Sequence, residues 1–308
     1  MIVSSMSTVR RRLAQLSAHL VVAVVALVVI GGATRVMEAG LACPDWPLCY
    51  GSLLPRGQMN VQVFLEWFHR LDAFLVGIAL LVMALVSFLW RRVLPRWLPW
   101  LGGSLVLLVA FQGGLGALTV LQLLPSGIVM AHLGMALTLV ALLSGLTQCL
   151  LQRSSTSAPL WWSGGALLAL LAVSAQSLLG ARMATSWAAQ RCLSGGESCQ
   201  WVTLHRSTAM PVACVVVMFV VAALLSGGWA RSQWPYLVAV LALVSLQLVL
   251  GISTLRLGLT QPLVTIAHQL LAALLVALLS ALLVRRPDNG STPVPVVLDD
   301  STFEACHG

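Results

Sequence analysis

The sequence contains no lysine and few charged residues of any kind. Charged side chains make up 8% of the 308 residues, whereas hydrophobic side chains make up 59%. Because a soluble domain carries about 25% charged residues, this chain cannot cover a folded surface with polar groups in water. The composition therefore excludes a soluble globular protein and predicts a chain that crosses a lipid bilayer.

Long apolar stretches take the place of the missing charge. A membrane-spanning helix needs about 20 mostly apolar residues, and eight stretches meet this requirement. The predicted spans are 17–37, 63–90, 98–121, 127–150, 160–180, 201–226, 235–255 and 262–284. The first stretch follows three arginines, as a signal peptide would, but it is long enough to span and has a counterpart later in the chain. We therefore interpret it as a retained helix.

All basic residues are arginine, so the net charge of +8 comes from arginine alone. Such a charge is frequent in nucleic-acid-binding proteins, but here its distribution along the chain is more informative. If the N-terminus is cytoplasmic, ten of the seventeen arginines fall in cytoplasmic segments. The positive-inside rule then places both termini in the cytoplasm, which an even number of spans also requires. We expect membrane lipid as a partner and no nucleic acid.

Two pairs of cysteines lie in segments that this topology places outside the cell membrane. Cys43 and Cys49 share the first outer connection, and Cys192 and Cys199 share the third. Two close pairs on the oxidising side favour disulfides. Free thiols are one alternative, and a zinc site is another if the two connections meet.

The second half of the chain repeats the first. Gly-Ala-Thr-Arg at 32–35 ends the first span, and Gly-Ala-Arg at 180–182 ends the fifth. A further match joins the segment that begins at Phe111-Gln112 to the segment that begins at Leu246-Gln247. Because each half has an even number of spans, the two halves should have the same orientation in the membrane.

The predicted fold is therefore an all-α membrane protein with eight transmembrane helices, arranged as two tandem pseudo-symmetric four-helix bundles. The N-terminal half would comprise residues 1–153 and the C-terminal half residues 154–286. Residues 287–308 lack an apolar face, so we expect a disordered cytoplasmic tail.

Four of the six histidines occupy equivalent positions in the two halves. His69 and His132 are 63 residues apart, and so are His205 and His268. Each lies within the first turns of an even-numbered span. The topology therefore places all four at a similar depth, towards the outer face.

An ionisable residue within a span is costly and typically marks a functional site, although one histidine could simply hydrogen-bond a neighbouring helix. Because the second and fourth spans run parallel, their histidines can face each other. Two opposed imidazoles in an apolar bundle are suited to axial ligation of a heme iron. Zinc or copper would need further ligands that the sequence does not place nearby.

Three charged residues accompany these histidines. Arg70 and Arg206 each follow a histidine and could pair with heme propionates or extend to the membrane surface. Glu66 lies on the same helix face as His69, whereas the repeat offset of 136 residues places Val202 at its position in the second half. Glu66 could stabilise the N-terminal end of its helix, but the equivalent helix has no such acid. We favour a chemical role such as proton uptake, with one half reacting and the other passing electrons.

These residues resemble the heme A synthases of aerobic respiratory chains. The resemblance covers about residues 15–285. It is carried by the segment GLACPDWPLC at 40–49, by EWFHR at 66–70 and by the four histidines. It implies that the chain lies in a bacterial inner membrane and oxidises the C8 methyl group of heme O to a formyl group, by two successive hydroxylations. The product would be heme A for cytochrome oxidase.

The resemblance also implies a role for each site residue. His69 and His132 would hold the substrate heme O, with Glu66 essential for turnover. His205 and His268 would ligate a heme b cofactor. The cysteines at 43, 49, 192 and 199 would match two cysteine pairs of the family. Heme O synthase would be a partner, an electron acceptor is required, and a homo-oligomer is compatible with the sequence.

Two other functions share part of the pattern. A non-catalytic di-heme b-type electron carrier would use the same histidine pairs but would give Glu66 no task. A transporter would have helices broken by glycine or proline at mid-membrane, and the apolar stretches here are mostly continuous.

Overall fold

The structure, a computed structural model, describes residues 2–152, 156–185 and 200–287. The described residues form helices and connections, and eight of the helices are long and apolar enough to cross a membrane. The helices are α1 (Ile2–Val36), α2 (Val61–Leu89), α3 (Leu98–Leu121), α4 (Ser126–Leu151), α5 (Leu160–Thr185), α6 (Gln200–Leu225), α7 (Gly228–Ser232), α8 (Trp234–Arg256) and α9 (Pro262–Leu283). The prediction of an all-α membrane protein with eight spans is confirmed.

The first predicted span, 17–37, lies within a longer helix, because α1 begins at Ile2. Arginine is a good helix former, so the basic segment continues the helix instead of preceding it. Arg10 also finds partners there: its Nε donates to the carbonyl of Leu150 at 2.9 Å and its Nη2 to that of Cys149 at 3.0 Å. These bonds satisfy carbonyl groups at the C-terminal end of α4, where a cation is favourable.

The fifth helix also extends beyond its predicted end, from residue 180 to Thr185. The sequence becomes polar at Arg182, but this side chain is stabilised by neighbouring elements. Its guanidinium donates to the hydroxyl of Ser126 at the start of α4 and lies 5.3 Å from the ring centroid of Trp201. The polar residue therefore continues the helix.

Two short elements in the described part of the chain were not predicted, because neither contains an apolar run. One is a single 3-10 turn at Arg56–Gln58, and the other is α7. The chain turns from α6 into α7 through Gly227 and Gly228, which have φ values of 73° and 52°. Glycine adopts this left-handed conformation without steric cost.

Helices α4 and α9 lie at the centre of the bundle and run parallel. Each contacts the other and also α1 and α5. The hydroxyl of Ser144 donates to the carbonyl of Ala277 at 2.6 Å, and the hydroxyl of Ser280 donates to that of Ala141 at 2.5 Å. Ser280 lies 136 residues after Ser144, and Ala277 lies 136 residues after Ala141. The two bonds are therefore equivalent under the offset that also relates the histidines of the two halves.

The apolar core is continuous across both halves of the chain. Its largest fully buried side chain is Trp162 on α5, which packs against Phe219 and Trp229 with ring centroids 5.3 and 4.8 Å away. The indole nitrogen of Trp162 donates to the carbonyl of Leu282 at 2.8 Å. The buried indole thus has its polar atom satisfied, as such a side chain requires.

The two halves also meet beside the histidines. Gln269, the residue after His268, donates to the carbonyl of Val28 on α1 at 3.1 Å. Its amide fills the space beside Gly32, where a Cβ atom would lie 1.9 Å from the Gln269 Oε1 atom. A side chain at residue 32 would therefore displace the Gln269 amide from this crossing of α1 and α9.

Candidate functional site

A disulfide-closed loop covers the N-terminal end of α2. Cys43 and Cys49 are joined in the structure with their Cα atoms 4.8 Å apart, and both residues are buried. Within the loop, the carboxylate of Asp45 accepts hydrogen bonds from the backbone N–H groups of Tyr50 at 2.6 Å and Gly51 at 2.8 Å. The bond from Gly51, above all, holds the pKa of Asp45 below its usual value.

Arg70 and Glu66 attach this loop to α2. The Arg70 guanidinium donates to the carbonyl groups of Asp45, Leu48 and Cys43, and it forms an ion pair with Glu66 Oε1. Glu66 Oε2 accepts the backbone N–H of Cys43 at 2.8 Å. Only 5% of the Glu66 surface is exposed, so the carboxylate is buried with a donor at each oxygen.

His69 and His132 face each other between α2 and α4. Their ring centroids are 6.4 Å apart and the ring planes make an angle of 61°. The Nδ1 atoms of both rings are buried and have no hydrogen-bond partner among the described residues. Glu66 precedes His69 by three residues and so lies on the same face of α2.

His205 on α6 and His268 on α9 occupy the corresponding positions in the second half. His69 follows the start of α2 by eight residues, and the other three histidines follow the starts of their helices by five or six. At 1.5 Å per residue all four lie about 8–12 Å along their helices, which is a similar depth.

Three glutamines, which the sequence reasoning did not assign to the site, contact these histidines. Gln112 Nε2 donates to the carbonyl of His132 at 3.0 Å, and Gln247 Nε2 lies 3.5 Å from His268 Nε2. Gln176 Nε2 donates to the carbonyl of His205 at 2.7 Å and lies 3.2 Å from its Nδ1. The repeat of Phe111-Gln112 as Leu246-Gln247 was the available signal for two of them.

The two sites differ most at Glu66 and its counterpart. Val202 is 8% exposed and packs with Met183, Trp201 and Leu259. Among the described residues an apolar cluster therefore surrounds Val202, whereas Glu66 in the first half bonds to Arg70 and to Cys43. The residue after His205, Arg206, is exposed.

The geometry of the first pair fits a heme iron held between two imidazoles. Such ligands place their ring centres about 6 Å apart, because a metal–nitrogen bond is about 2 Å long and the ring centre lies about 1 Å beyond. The observed 6.4 Å agrees with this value. Among the described residues, no three His, Cys, Asp or Glu side chains are close enough together to hold a metal ion. Two histidines suffice for heme, which supplies its own four nitrogens.

A cavity of about 630 Å³ lies at the opposite end of the bundle. It is lined by Gln148, Leu151, Gln152, Trp229, Ser232, Gln233, Tyr236, Arg285 and Arg286. None of the four histidines reaches it, so it is separate from the candidate site.

Some predicted features lie outside the described residues. These are Cys192 and Cys199 with their connection, and the tail after Pro287. The remaining predicted site residues lie at the same end of the bundle, around the N-terminal ends of α2, α4, α6 and α9.

Comparison with known proteins gives consistent matches over the helical region. A family model described as cytochrome oxidase assembly protein matches residues 14–280. The heme A synthase of Caulobacter vibrioides is 31% identical over 324 residues, which covers 86% of this chain and 93% of that protein. The heme A synthase of Sphingopyxis alaskensis is 28% identical, covering 85% and 88%. The heme A synthase of Shewanella oneidensis is 34% identical over 192 residues, about half of each chain (54% and 55%).

Proposed function

The chain belongs to the cytochrome oxidase assembly protein family, and from this membership and the site geometry we propose that it is a heme A synthase. Its substrate would be heme O, whose C8 methyl group is oxidised to a formyl group. A first hydroxylation would give an alcohol and a second a hydrated aldehyde, which loses water to form heme A. The observation that carries the proposal is the pair His69 and His132, opposed at 6.4 Å with Glu66 on the same helix face.

The N-terminal half, residues 1–153, would hold heme O between His69 and His132. Glu66 gives this half a buried carboxylate on the helix face that carries His69. In an apolar site such a group can take up a proton or stabilise positive charge that develops on the substrate. Arg70 would serve the reaction by fixing Glu66 and the disulfide loop, since its guanidinium is bonded to both.

The C-terminal half, residues 154–286, would hold heme b between His205 and His268. A bound heme b would supply one-electron chemistry, connecting the substrate site to an electron acceptor. Val202 leaves this half without the carboxylate, which suits electron transfer without substrate oxidation. Arg206 is exposed beside His205, where it would pair with a heme propionate.

We also propose the orientation that the arginines indicate, with both termini in the cytoplasm of a bacterial cell and the heme sites near the outer face of its inner membrane. The Cys43–Cys49 disulfide lies at the histidine end of the bundle, and Arg10, Arg285 and Arg286 lie at the other end. An oxidised pair on one side and arginines on the other agree with the positive-inside rule. Cys192 and Cys199 would form a second outer disulfide.

The proposal is tested by the pigments of cells that express this chain together with a heme O synthase. Extracted hemes separated by chromatography and identified by mass should contain heme A, whereas cells with the synthase alone should contain heme O. Unchanged heme O in the presence of well-expressed, heme-loaded protein would contradict the assignment. It would favour the di-heme electron carrier, which shares the ligands but not the reaction.

A further inference from the structure

Each of the four histidine rings rests against a glycine of the preceding long helix. The pairs are Gly31 with His69, Gly116 with His132, Gly180 with His205, and Gly251 with His268. A Cβ atom at these glycines would lie 3.3, 3.3, 3.0 and 3.1 Å from the Cε1 atom of the paired ring. The same ring atom is the nearest one in all four pairs.

The helix backbone does not require glycine at these positions. All four lie within helices and none has a positive φ. Glycine costs about 1 kcal/mol relative to alanine in a helix interior, so another demand must account for it. Other helical glycines, such as Gly113 on α3 and Gly164 on α5, face open space. Close approach of an imidazole therefore distinguishes the four from the rest.

Three of the four glycines have a glutamine one turn earlier on the same helix face. Gln112 precedes Gly116 by four residues, Gln176 precedes Gly180, and Gln247 precedes Gly251. These are the three glutamines that contact the histidines. Residues four apart in a helix are neighbours on one face, so each helix presents a polar and a steric contact to one histidine.

The position four residues before Gly31 is occupied by Leu27. His69 therefore has the glycine contact without the glutamine. At the other extreme, His205 has the shortest glycine contact, and its Gln176 is itself bonded to the hydroxyl of Thr208 at 2.7 Å. The four histidines are thus held to different degrees, with His205 held most firmly and His69 least.

We propose that these Gln-x-x-x-Gly pairs are positioning elements for the axial imidazoles, and that Leu27 leaves the substrate-side ligand His69 loosely held so that heme can exchange there. The proposal rests on the heme ligation proposed above. A helix backbone packed against Cε1 limits how far the ring can turn about its own side-chain bonds. Gln112 and Gln176 add a hydrogen bond to the backbone carbonyl of their histidine, which fixes the point from which the ring extends.

Substitution of the glycines tests the steric contact. Gly180→Ala and Gly116→Ala should each shift the low-spin ferric electron paramagnetic resonance signal and the midpoint potential of the heme in their own half. The other heme should keep its wild-type signal, which shows that the variant is folded. Gly164→Ala on α5 and Gly113→Ala on α3 are matched controls and should change neither heme.

Wild-type signals from both hemes in Gly180→Ala and Gly116→Ala would overturn the proposal, as would equal shifts in the control variants. A wild-type protein with no bis-imidazole heme signal would instead overturn the proposed heme sites. The two failures are therefore distinguishable.

The glutamine contact is tested by measuring the rate at which heme is released from the protein to an excess of apomyoglobin. Leu27→Gln should slow release from the N-terminal site by about threefold to tenfold, the value of one added hydrogen bond. Gln176→Leu should speed release from the C-terminal site by a similar factor. Because slower release cannot result from a misfolded protein, Leu27→Gln is the decisive variant. An unchanged or faster release from Leu27→Gln would overturn the proposed exchange role.

Discussion

Glu66 is held at both carboxylate oxygens, by Arg70 at one and by the backbone N–H of Cys43 at the other. The side chain therefore anchors the disulfide loop, whatever part it has in the reaction. The equivalent position in the second half is Val202, which lies in an apolar cluster, so a carboxylate is not a general feature of this helix end. Anchoring and proton transfer must be separated by experiment.

Glu66→Gln should leave both hemes bound while conversion of heme O falls by about 100-fold or more, the usual contribution of a general acid or base. The amide keeps the size of the side chain but cannot take up a proton. Heme content and extracted pigments of the purified variant measure the two effects. Asp72→Asn, a second carboxylate of α2, is the control and should convert heme O normally. Normal conversion by Glu66→Gln would remove this residue from the chemistry.

Arg70→Met should destabilise the protein by about 2–4 kcal/mol, because it leaves a buried carboxylate and three loop carbonyl groups without their donor. Thermal unfolding in detergent measures this effect. Arg206→Met, at the equivalent exposed position, should change the unfolding temperature little. Equal effects of the two substitutions would mean that Arg70 does not hold the loop.

The sequence singles out the histidines and Glu66 as candidate site residues because the internal repeat makes the two halves comparable. Gln176 and the four glycines were not found. The sequence of an apolar helix does not show which residue of another helix lies opposite a given glycine or glutamine. That residue depends on how the two helices pack. Gln176 has no counterpart on α1, where Leu27 stands, so the repeat gave no signal for it.

At the scale of helices, most ends follow from apolar length, because a bilayer sets how long a span must be. The exceptions are polar residues that find partners in other helices. Arg10 lies within α1 because it caps α4, and Arg182 lies within α5 because Ser126 and Trp201 contact it. Those partners are distant in sequence, so the apolar pattern alone could not reveal them.

The hydrogen bonds between α4 and α9 give a prediction for helix packing. Ser144→Ala and Ser280→Ala should each destabilise the protein by about 0.6 kcal/mol, the mean value for such bonds between membrane helices. Unfolding by detergent titration measures this. Ser104→Ala is the control, since its hydroxyl bonds within its own helix to the carbonyl of Trp100. A larger loss of stability in Ser104→Ala than in Ser144→Ala and Ser280→Ala would contradict the assigned role of these bonds.

At the scale of the whole molecule, the distribution of arginine predicts the orientation in the membrane. A fluorescent protein that matures only in the cytoplasm, fused to the C-terminus, should fluoresce in growing cells. Alkaline phosphatase fused at the same position should be inactive. The reverse result would place the histidines near the cytoplasmic face and would contradict the proposed topology.

The eight helices and the shared depth of the histidines follow from hydropathy and the repeat, and the family follows from the segments that resemble heme A synthases. The contact between the two halves does not follow from the sequence. Gln269, the residue after His268, donates to the carbonyl of Val28 and lies beside Gly32. Gly32 follows Gly31, which contacts His69. This link depends on the crossing of α1 and α9, which are separated by most of the chain.

The heme content of single-histidine variants tests the central claim most directly. Purified wild-type protein should contain two low-spin hemes per chain, by pyridine hemochrome assay and optical spectrum. His69→Ala should lose the substrate-site heme and keep heme b, and His205→Ala should lose heme b and keep the other. Wild-type heme content and spectra in both variants would show that these imidazoles do not bind heme iron.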